Sequence, residues 1–339
     1  MTSSTSDRPQ VAVVVSGWPR VSETFALNEL LALDRAGLLA GTFATKPGDR
    51  SLRQPVVDAA LAGRAVTGVH GYFAHRPAAV AERAAALLGV PFGFSAHALD
   101  VRKVTAEELA ARAAGAVVVV ACNRDVAGSL RAAGAEPFLV GHGVDLARFR
   151  PRPTARSGEL SLLAVGRLVP KKGFDVLLDA LAHLARPWRL AVVGDGPERS
   201  ALRARATGQG DRVRWLGRAT HADLPAIYAS ADVVVVPSRV DAADDRDGLP
   251  NVVLEAMACG RPVVASDVAA IATAVDDGLT GVLVPPEQPL ALARAIDALG
   301  ADRFARARLG RSARRRAERD HGLAGCSARL VHTLERAYA

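Results

Sequence analysis

Cysteine is scarce in this chain. Cys122, Cys259 and Cys326 are the full complement among 339 residues, odd in number and widely spaced. That excludes a disulfide framework and offers no zinc-ligand spacing, so a reducing compartment is the default. Long apolar runs are missing too: stretches such as 116–122 and 233–236 fall far short of a membrane-spanning helix. The first ten residues are polar, and the apolar Val11–Val15 that follows is too short and too poorly flanked for a signal peptide. A cytoplasmic location is expected. Aromatic side chains make up only 4% of the chain, and no recognised nucleic-acid-binding motif accompanies its basic residues, so a nucleic-acid partner is not indicated.

What is abundant points elsewhere. Half of the residues are apolar, with Ala and Val prominent, which suits helices packed on buried parallel strands. The length allows two domains. Formal net charge is +8. Much of the excess lies in Arg303, Arg306, Arg308, Arg311, Arg314, Arg315, Arg316 and Arg319, within a helical stretch. These arginines read as a solvated helix face. The alternative is attraction to an anionic membrane surface or a lipid-linked acceptor, which leaves peripheral contact at the inner face of a membrane open.

Short apolar runs alternate with helix-length segments throughout. The first series of expected strands is Val11–Val15, Thr42–Thr45, Ala65–Val69, Phe92–Ser95, Val117–Ala121 and Phe138–Val140. The second is Leu162–Val165, Leu190–Val193, Val213–Leu216, Val233–Val236, Val263–Ala265 and Val282–Val284. Such alternation predicts an α/β fold of parallel sheets with right-handed crossovers. The Pro- and Arg-bearing stretch 150–158 separates the series as a linker. The expectation is two doubly wound, Rossmann-like domains facing each other across a cleft: residues 1–150, residues 151–320, and a last helix within 321–339 that returns to the first domain. Ligands in such folds bind at the carboxyl ends of strands.

The stretch with most chemistry is Asp247-Gly248-Leu249-Pro250-Asn251-Val252-Val253-Leu254-Glu255, followed by Ala256-Met257-Ala258-Cys259-Gly260-Arg261-Pro262. It reads as a turn and a helix between two strands, with Pro250 at an early helical position and Gly260-Arg261-Pro262 ending the helix. A helix mouth with unpaired N–H groups favours phosphate. The two acids flanking it would repel phosphate and are suited to hydroxyls. A phosphate flanked by hydroxyl groups describes a sugar nucleotide. The bland reading is a strand-turn-helix unit with a solvated, charged loop.

These residues resemble the retaining glycosyltransferases of family 4, which have the GT-B fold. The family usually carries Glu where this chain has Asp247, one methylene shorter. The resemblance implies that Asp247 meets hydroxyls of the donor sugar, that Glu255 accepts the ribose hydroxyls, and that Gly248, Leu249 and the amides of Asn251 and Val252 bind the donor. Val165-Gly166-Arg167-Leu168-Val169-Pro170-Lys171-Lys172-Gly173 is similar to the family's Gly-x-Arg…Lys-Gly element. Gly166 would let a ligand approach the backbone, while Arg167 and Lys172 would neutralise the departing diphosphate, Arg as a fork and Lys as a point charge. Two solvated basic residues are the alternative.

Gly194-Asp195-Gly196-Pro197 has Arg199 where a dinucleotide fingerprint needs its third Gly. It matches instead a Gly-Asp-Gly-Pro turn that in the family lies near the nucleotide. Asp245-Arg246-Asp247 has the form of the Asp-x-Asp metal motif of the other major glycosyltransferase fold, but that motif belongs to a single-domain architecture. No metal or other cofactor is expected.

The first domain is matched by Gly17-Trp18-Pro19-Arg20-Val21-Ser22-Glu23-Thr24-Phe25, which resembles the family's opening loop near the donor phosphate or the acceptor. Gly17 is assigned to the donor, Arg20 and Glu23 to the acceptor side. Ser22 is a credible N-cap, and Glu23 either serves the site or favours the helix start. Phe94-Ser95-Ala96-His97-Ala98-Leu99-Asp100 resembles the Thr-Ala-His-x-x-Asp element, which would bring His97 to the donor sugar or the reacting centre. Val69-His70-Gly71-Tyr72-Phe73 has Tyr72 where the family has a second His, and Gly141-His142-Gly143-Val144-Asp145 reads as a structural hinge-side turn.

The resemblance thus implies a metal-independent hexosyltransferase with retention of configuration and a UDP-linked donor. The acceptor would be a secondary metabolite such as an aminocyclitol, or a cell-envelope or exopolysaccharide intermediate. A non-catalytic sugar-nucleotide binder and a nucleotide-sugar epimerase are the alternatives within the same architecture.

Overall fold

A computed structural model describes residues 8–18, 24–47, 66–97, 100–153, 158–242 and 245–339. The strands are β1 Val11–Trp18, β2 Leu39–Pro47, β3 Gly68–Tyr72, β4 Phe92–Ala96, β5 Val118–Ala121, β6 Phe138–Leu139, β7 Leu160–Val165, β8 Trp188–Val193, β9 Val213–Gly217, β10 Val233–Val236, β11 Val263–Ser266 and β12 Gly281–Val284. The helices are α1 Thr24–Arg35, α2 Arg76–Leu88, α3 Ala106–Ala114, α4 Arg124–Ala132, α5 Phe174–Leu181, α6 Arg199–Arg205, α7 Leu224–Ala229, α8 Asn251–Ala258, α9 Ile271–Ala274, α10 Pro289–Ala301, α11 Arg303–Asp320 and α12 Leu323–Tyr338. The chain divides into two compact units, Met1–Gly143 with Leu323–Ala339, and Val144–Gly322.

Each unit holds one six-stranded parallel sheet. The orders are β2-β1-β3-β4-β5-β6 and β12-β11-β10-β7-β8-β9. Both reverse direction once, between β1 and β3 in the first unit and between β7 and β10 in the second. These switch points open a crevice at the carboxyl ends of the strands. The runs of valine follow from burial on both faces. Val11, Val13 and Val15 join one core with Leu30, Leu33 and Leu334, whereas Ala12 and Val14 join another with Ala78 and Phe94. In β10, Val233 and Val235 pack on one face, Val234 and Val236 on the other.

The division falls after Gly143, ahead of the expected 150/151 boundary. Val144 N donates to the His321 carbonyl at 2.8 Å, and Phe149 is buried in the core of the second unit. The third strand lies at Gly68–Tyr72 instead of Ala65–Val69, which puts His70 and Tyr72 inside the sheet. Its glycines obscured it in the sequence. A Cβ on Gly68 would stand 2.1 Å from the Tyr338 ring, and one on Gly71 would stand 2.5 Å from Ala78 Cα. Within the first unit, α12 packs Leu330, Leu334 and Tyr338 into the core that contains β1 and α1 residues. Tyr338 Oη donates to the Val69 carbonyl at 3.2 Å and meets His70 Nδ1 at 2.9 Å, while His70 Nε2 meets Ser95 Oγ at 2.9 Å. Burial lowers the His70 pKa to about 3, so the ring is neutral.

The arginines of α11 do more than cover a solvated face. Arg306 donates to the carbonyls of Leu299 and Gly300, Arg314 to those of Phe149 and Ala258, and Arg316 pairs with Asp276 and Asp320. Arg303, Arg308 and Arg311 are exposed. No described helix is long and apolar enough to cross a membrane.

Candidate active site

In the second unit the switch point gathers the loops after β7 and β10. Gly194 sits at φ +143°, and a Cβ there would fall 1.8 Å from the Gly166 carbonyl oxygen, so the loops after β7 and β8 meet backbone to backbone. Gly173, at φ +62°, closes in the same way on the Pro237 carbonyl. That contact brings Lys171 and Lys172 to the loop after β10. Lys172 Nζ lies 2.7 Å from Asp247 Oδ2, and Lys171 Nζ lies 2.9 Å from Asp245 Oδ1 and 3.7 Å from Asp247 Oδ1. Ser238 Oγ donates to Asp247 Oδ2 at 3.1 Å. Asp247 is therefore already engaged by two cations and a hydroxyl. Arg167 is exposed on the loop after β7, and Gly166 and Lys172 lie in contact beside it.

Gly248 and Leu249 form the bend that leads to α8, with Leu249 packed partly on the core. Pro250 is the residue before the helix rather than its first position (φ −66°, ψ 132°), and Asn251 and Val252 open the helix. Their N–H groups have no intrahelical partner by position, as expected of a first turn. One turn further on, Glu255 is buried. Tyr228 Oη, from α7, donates to Glu255 Oε2 at 2.7 Å, and His221 Nε2 faces Oε1 at 3.9 Å. Burial pushes the Glu255 carboxyl up to about 7, with the Tyr228 hydrogen bond pulling the other way.

The first unit presents a different centre. His97 follows β4 and is buried among Phe25, Tyr72, Phe73 and His142. Asp100 anchors the turn by accepting from the backbone N–H of His97 at 2.6 Å and from that of Ala74. Burial, with the neighbouring His142 and His70, holds the His97 pKa well below its usual value. His142 stacks on His97 with ring centroids 5.3 Å apart and planes 1° from parallel, and its Nδ1 lies 3.0 Å from Glu29 Oε1. Burial opposes charging His142, but the hydrogen bonds to Cys122 and Glu29 outweigh it and raise the pKa to about 10. His142 is thus an imidazolium at neutral pH, beside a neutral His97. Glu29, His97 and His142 offer ligand atoms within 4.8 Å of one another.

Arg20 and Glu23 lie outside the described residues, as does Ser22. Gly17 lies in β1, one residue from its end, in register with Lys46 of β2. The second unit brings Gly166, Arg167, Lys172, Gly194, Asp247, Gly248, Leu249, Asn251, Val252 and Glu255 to neighbouring strand ends, while His97 belongs to the first unit. The residues not assigned to the site from the sequence are Lys171, Ser238, Tyr228 and His221 in the second unit, and Glu29 in the first, together with His142, which was read as part of a structural turn. Only Lys171 carried a signal, as the neighbour of Lys172; the others come from different elements and meet through folding.

Two Rossmann-like units with strand orders of this kind make a GT-B fold, and solved structures agree. HepE of Anabaena in complex with UDP is 20% identical and superposes with a TM-score of 0.78, covering 96% of this chain and 100% of that one. Residues 159–302 match the family model described as glycosyl transferases group 1, so the second unit is similar to that family over most of its length. A D-inositol 3-phosphate glycosyltransferase of Salinispora tropica is 40% identical over 276 residues, which is 68% of this chain and 56% of the relative. A GDP-mannose-dependent alpha-(1-6)-phosphatidylinositol monomannoside mannosyltransferase of Mycolicibacterium smegmatis is 38% identical over 175 residues, 47% of this chain and 46% of the relative. The chain therefore spans about half the length of these relatives.

Proposed function

We propose that this protein is a glycosyltransferase that moves a sugar from a nucleotide sugar to an acceptor hydroxyl. The observation that carries the reading is the convergence of Lys172, Asp247 and Glu255 with the opening of α8 at one switch point. Breaking an anomeric carbon–diphosphate bond develops negative charge on the leaving oxygen. Lys172, Arg167 and the amides of Asn251 and Val252 stabilise that charge with no metal in the role. Diphosphate binding draws Lys172 from Asp247, and Asp247 then turns an oxygen to the sugar while Lys171 and Ser238 keep it in place. Glu255 takes the ribose hydroxyls. His97, held neutral, meets the sugar or the reacting centre with a lone pair or an N–H and adds no charge.

Retention of configuration belongs to this reading, through a same-face displacement in which the leaving phosphate helps deprotonate the incoming hydroxyl. UDP is the proposed nucleotide, with GDP the competitor because one relative is named for GDP-mannose. The names of both relatives contain inositol, which supports a cyclitol-bearing acceptor, free or lipid-linked. The exposed Arg303, Arg308 and Arg311 supply the charge for peripheral membrane contact in the lipid-linked case.

The test is calorimetric titration with UDP, GDP, ADP, TDP and NAD, with and without EDTA. Tight UDP binding that survives EDTA supports the reading in full. Preference for another nucleoside diphosphate changes the donor alone, and binding lost to EDTA removes the metal-free step. Binding of none of the diphosphates makes the Asp247–Glu255 segment scaffold and overturns the reading.

A further inference from the structure

We infer that His221 and Glu255 form a pair that grips one hydroxyl of the ribose and thereby selects ribonucleotide over deoxyribonucleotide donors. This rests on the nucleotide-sugar reading above and adds a residue to it. Arg148 Nη1 lies 2.8 Å from His221 Nδ1. A guanidinium only donates, so Nδ1 accepts and the imidazole proton sits on Nε2. Burial and the Arg148 charge lower the His221 pKa, which keeps that neutral tautomer. Nε2–H is then a donor 3.9 Å from Glu255 Oε1.

That distance is too long for a hydrogen bond between the two, and it suits an oxygen placed between them. Two hydrogen bonds of about 2.8 Å meeting near a right angle span such a gap. Glu255 Oε2 is occupied by Tyr228 Oη at 2.7 Å, so the acceptor turned toward His221 is Oε1. A hydroxyl seated there accepts from Nε2–H and donates to Oε1, using both of its capacities. A carbon without oxygen at that position leaves a donor and a buried acceptor unmatched, the situation in which polar sites discriminate strongly. The His221 ring is held edge-on by Phe149, with centroids 5.2 Å apart and planes at 74°, yet its side chain is 37% exposed, so a ligand can reach it.

The experiment is calorimetry on the intact chain with UDP and GDP and their 2′-deoxy and 3′-deoxy forms. The wild type is expected to bind the ribose form at least about tenfold more tightly than one of the deoxy forms. His221→Phe, which keeps a ring against Phe149, should weaken the ribose form by about that factor and leave that deoxy form unchanged. Arg148→Met, which frees Nδ1 to take the proton, should lose part of the same preference. Equal weakening of both forms, or a ribose preference untouched in both variants, overturns the inference while the glycosyltransferase reading stands. A wild type that binds no nucleoside diphosphate removes the reading first, and the inference with it.

Discussion

The polar centres of the two units are built on opposite terms. In the second unit, Lys171, Lys172, Asp245 and Asp247 form a network of several charges on loops, with Ser238 added and side chains 11–24% exposed. In the first unit, His97 and His142 are packed rings, and the ion pair between Glu29 and His142 is nearly enclosed, each side chain 12% exposed. Charges in such a network can exchange partners when a phosphate arrives, because Lys171 and Ser238 remain on Asp247 when Lys172 leaves it. An enclosed pair cannot, since an uncompensated charge there is heavily penalised. On the proposed function, the second unit's network is the part that would bind and release an anion, and the first unit's packed rings the part that would stay at one protonation state.

Disabling the loop charges should give the largest effect. Lys172→Ala and Glu255→Ala are each expected to cut turnover on the order of a hundredfold or more, read from initial rates with the nucleotide sugar that binds. Rates close to wild type in both variants would dissolve the functional half of the comparison. Next comes the enclosed pair. Glu29→Gln should lower stability by about 2 kcal/mol in urea unfolding, because a buried imidazolium keeps a neutral acceptor but loses its counter-charge. The His142 pKa is raised to about 10 from roughly 6.5 in the unfolded chain. Its stabilising contribution is full below that lower value and fades as pH climbs through about 10. Wild-type stability should therefore fall across this window, and the Glu29→Gln variant should fall less steeply. Parallel pH profiles would show that the pair contributes no linkage.

Smaller effects sharpen the contrast. Tyr228→Phe should reduce stability by about 1 kcal/mol. It should also raise the Glu255 pKa further, since the lost hydrogen bond favours the carboxylate. Nucleotide binding that needs an ionised acceptor would then weaken at a higher pH than in wild type, as calorimetry across pH can show. Asp245→Asn is expected to change stability by less than about 1 kcal/mol, because its pair with Lys171 is partly solvated. A larger loss in thermal unfolding would mean that the loop is as rigid as the enclosed centre, and the comparison would collapse.

How much was legible follows the same divide. The second unit's loops lie close in sequence to the strands that position them, so Gly166–Gly173 and Asp247–Glu255 were recognisable as linear patterns. Even there, the direct pairing of Lys172 with Asp247 was not visible, because Gly173 must first close on Pro237. Tyr228 and Glu255 are separated by a full strand and loop. In the first unit the apolar pattern failed at β3, where Gly68 and Gly71 look like turn residues and are in fact compressed under Tyr338 and Ala78. His142 looked like part of a hinge turn because its partner Glu29 is 113 positions away.

By itself the sequence determined the alternation of strand and helix, the two parallel sheets and the loops that carry the basic and acidic residues. Those properties depend on periodicity and local conformation, which neighbouring residues specify. Only the tertiary structure decided which charges neutralise each other, which histidine is charged and which neutral, and where a ring needs a glycine beneath it. Each of these depends on distance through space and on exclusion of water, and the fold brings residues from remote segments to the same few ångströms.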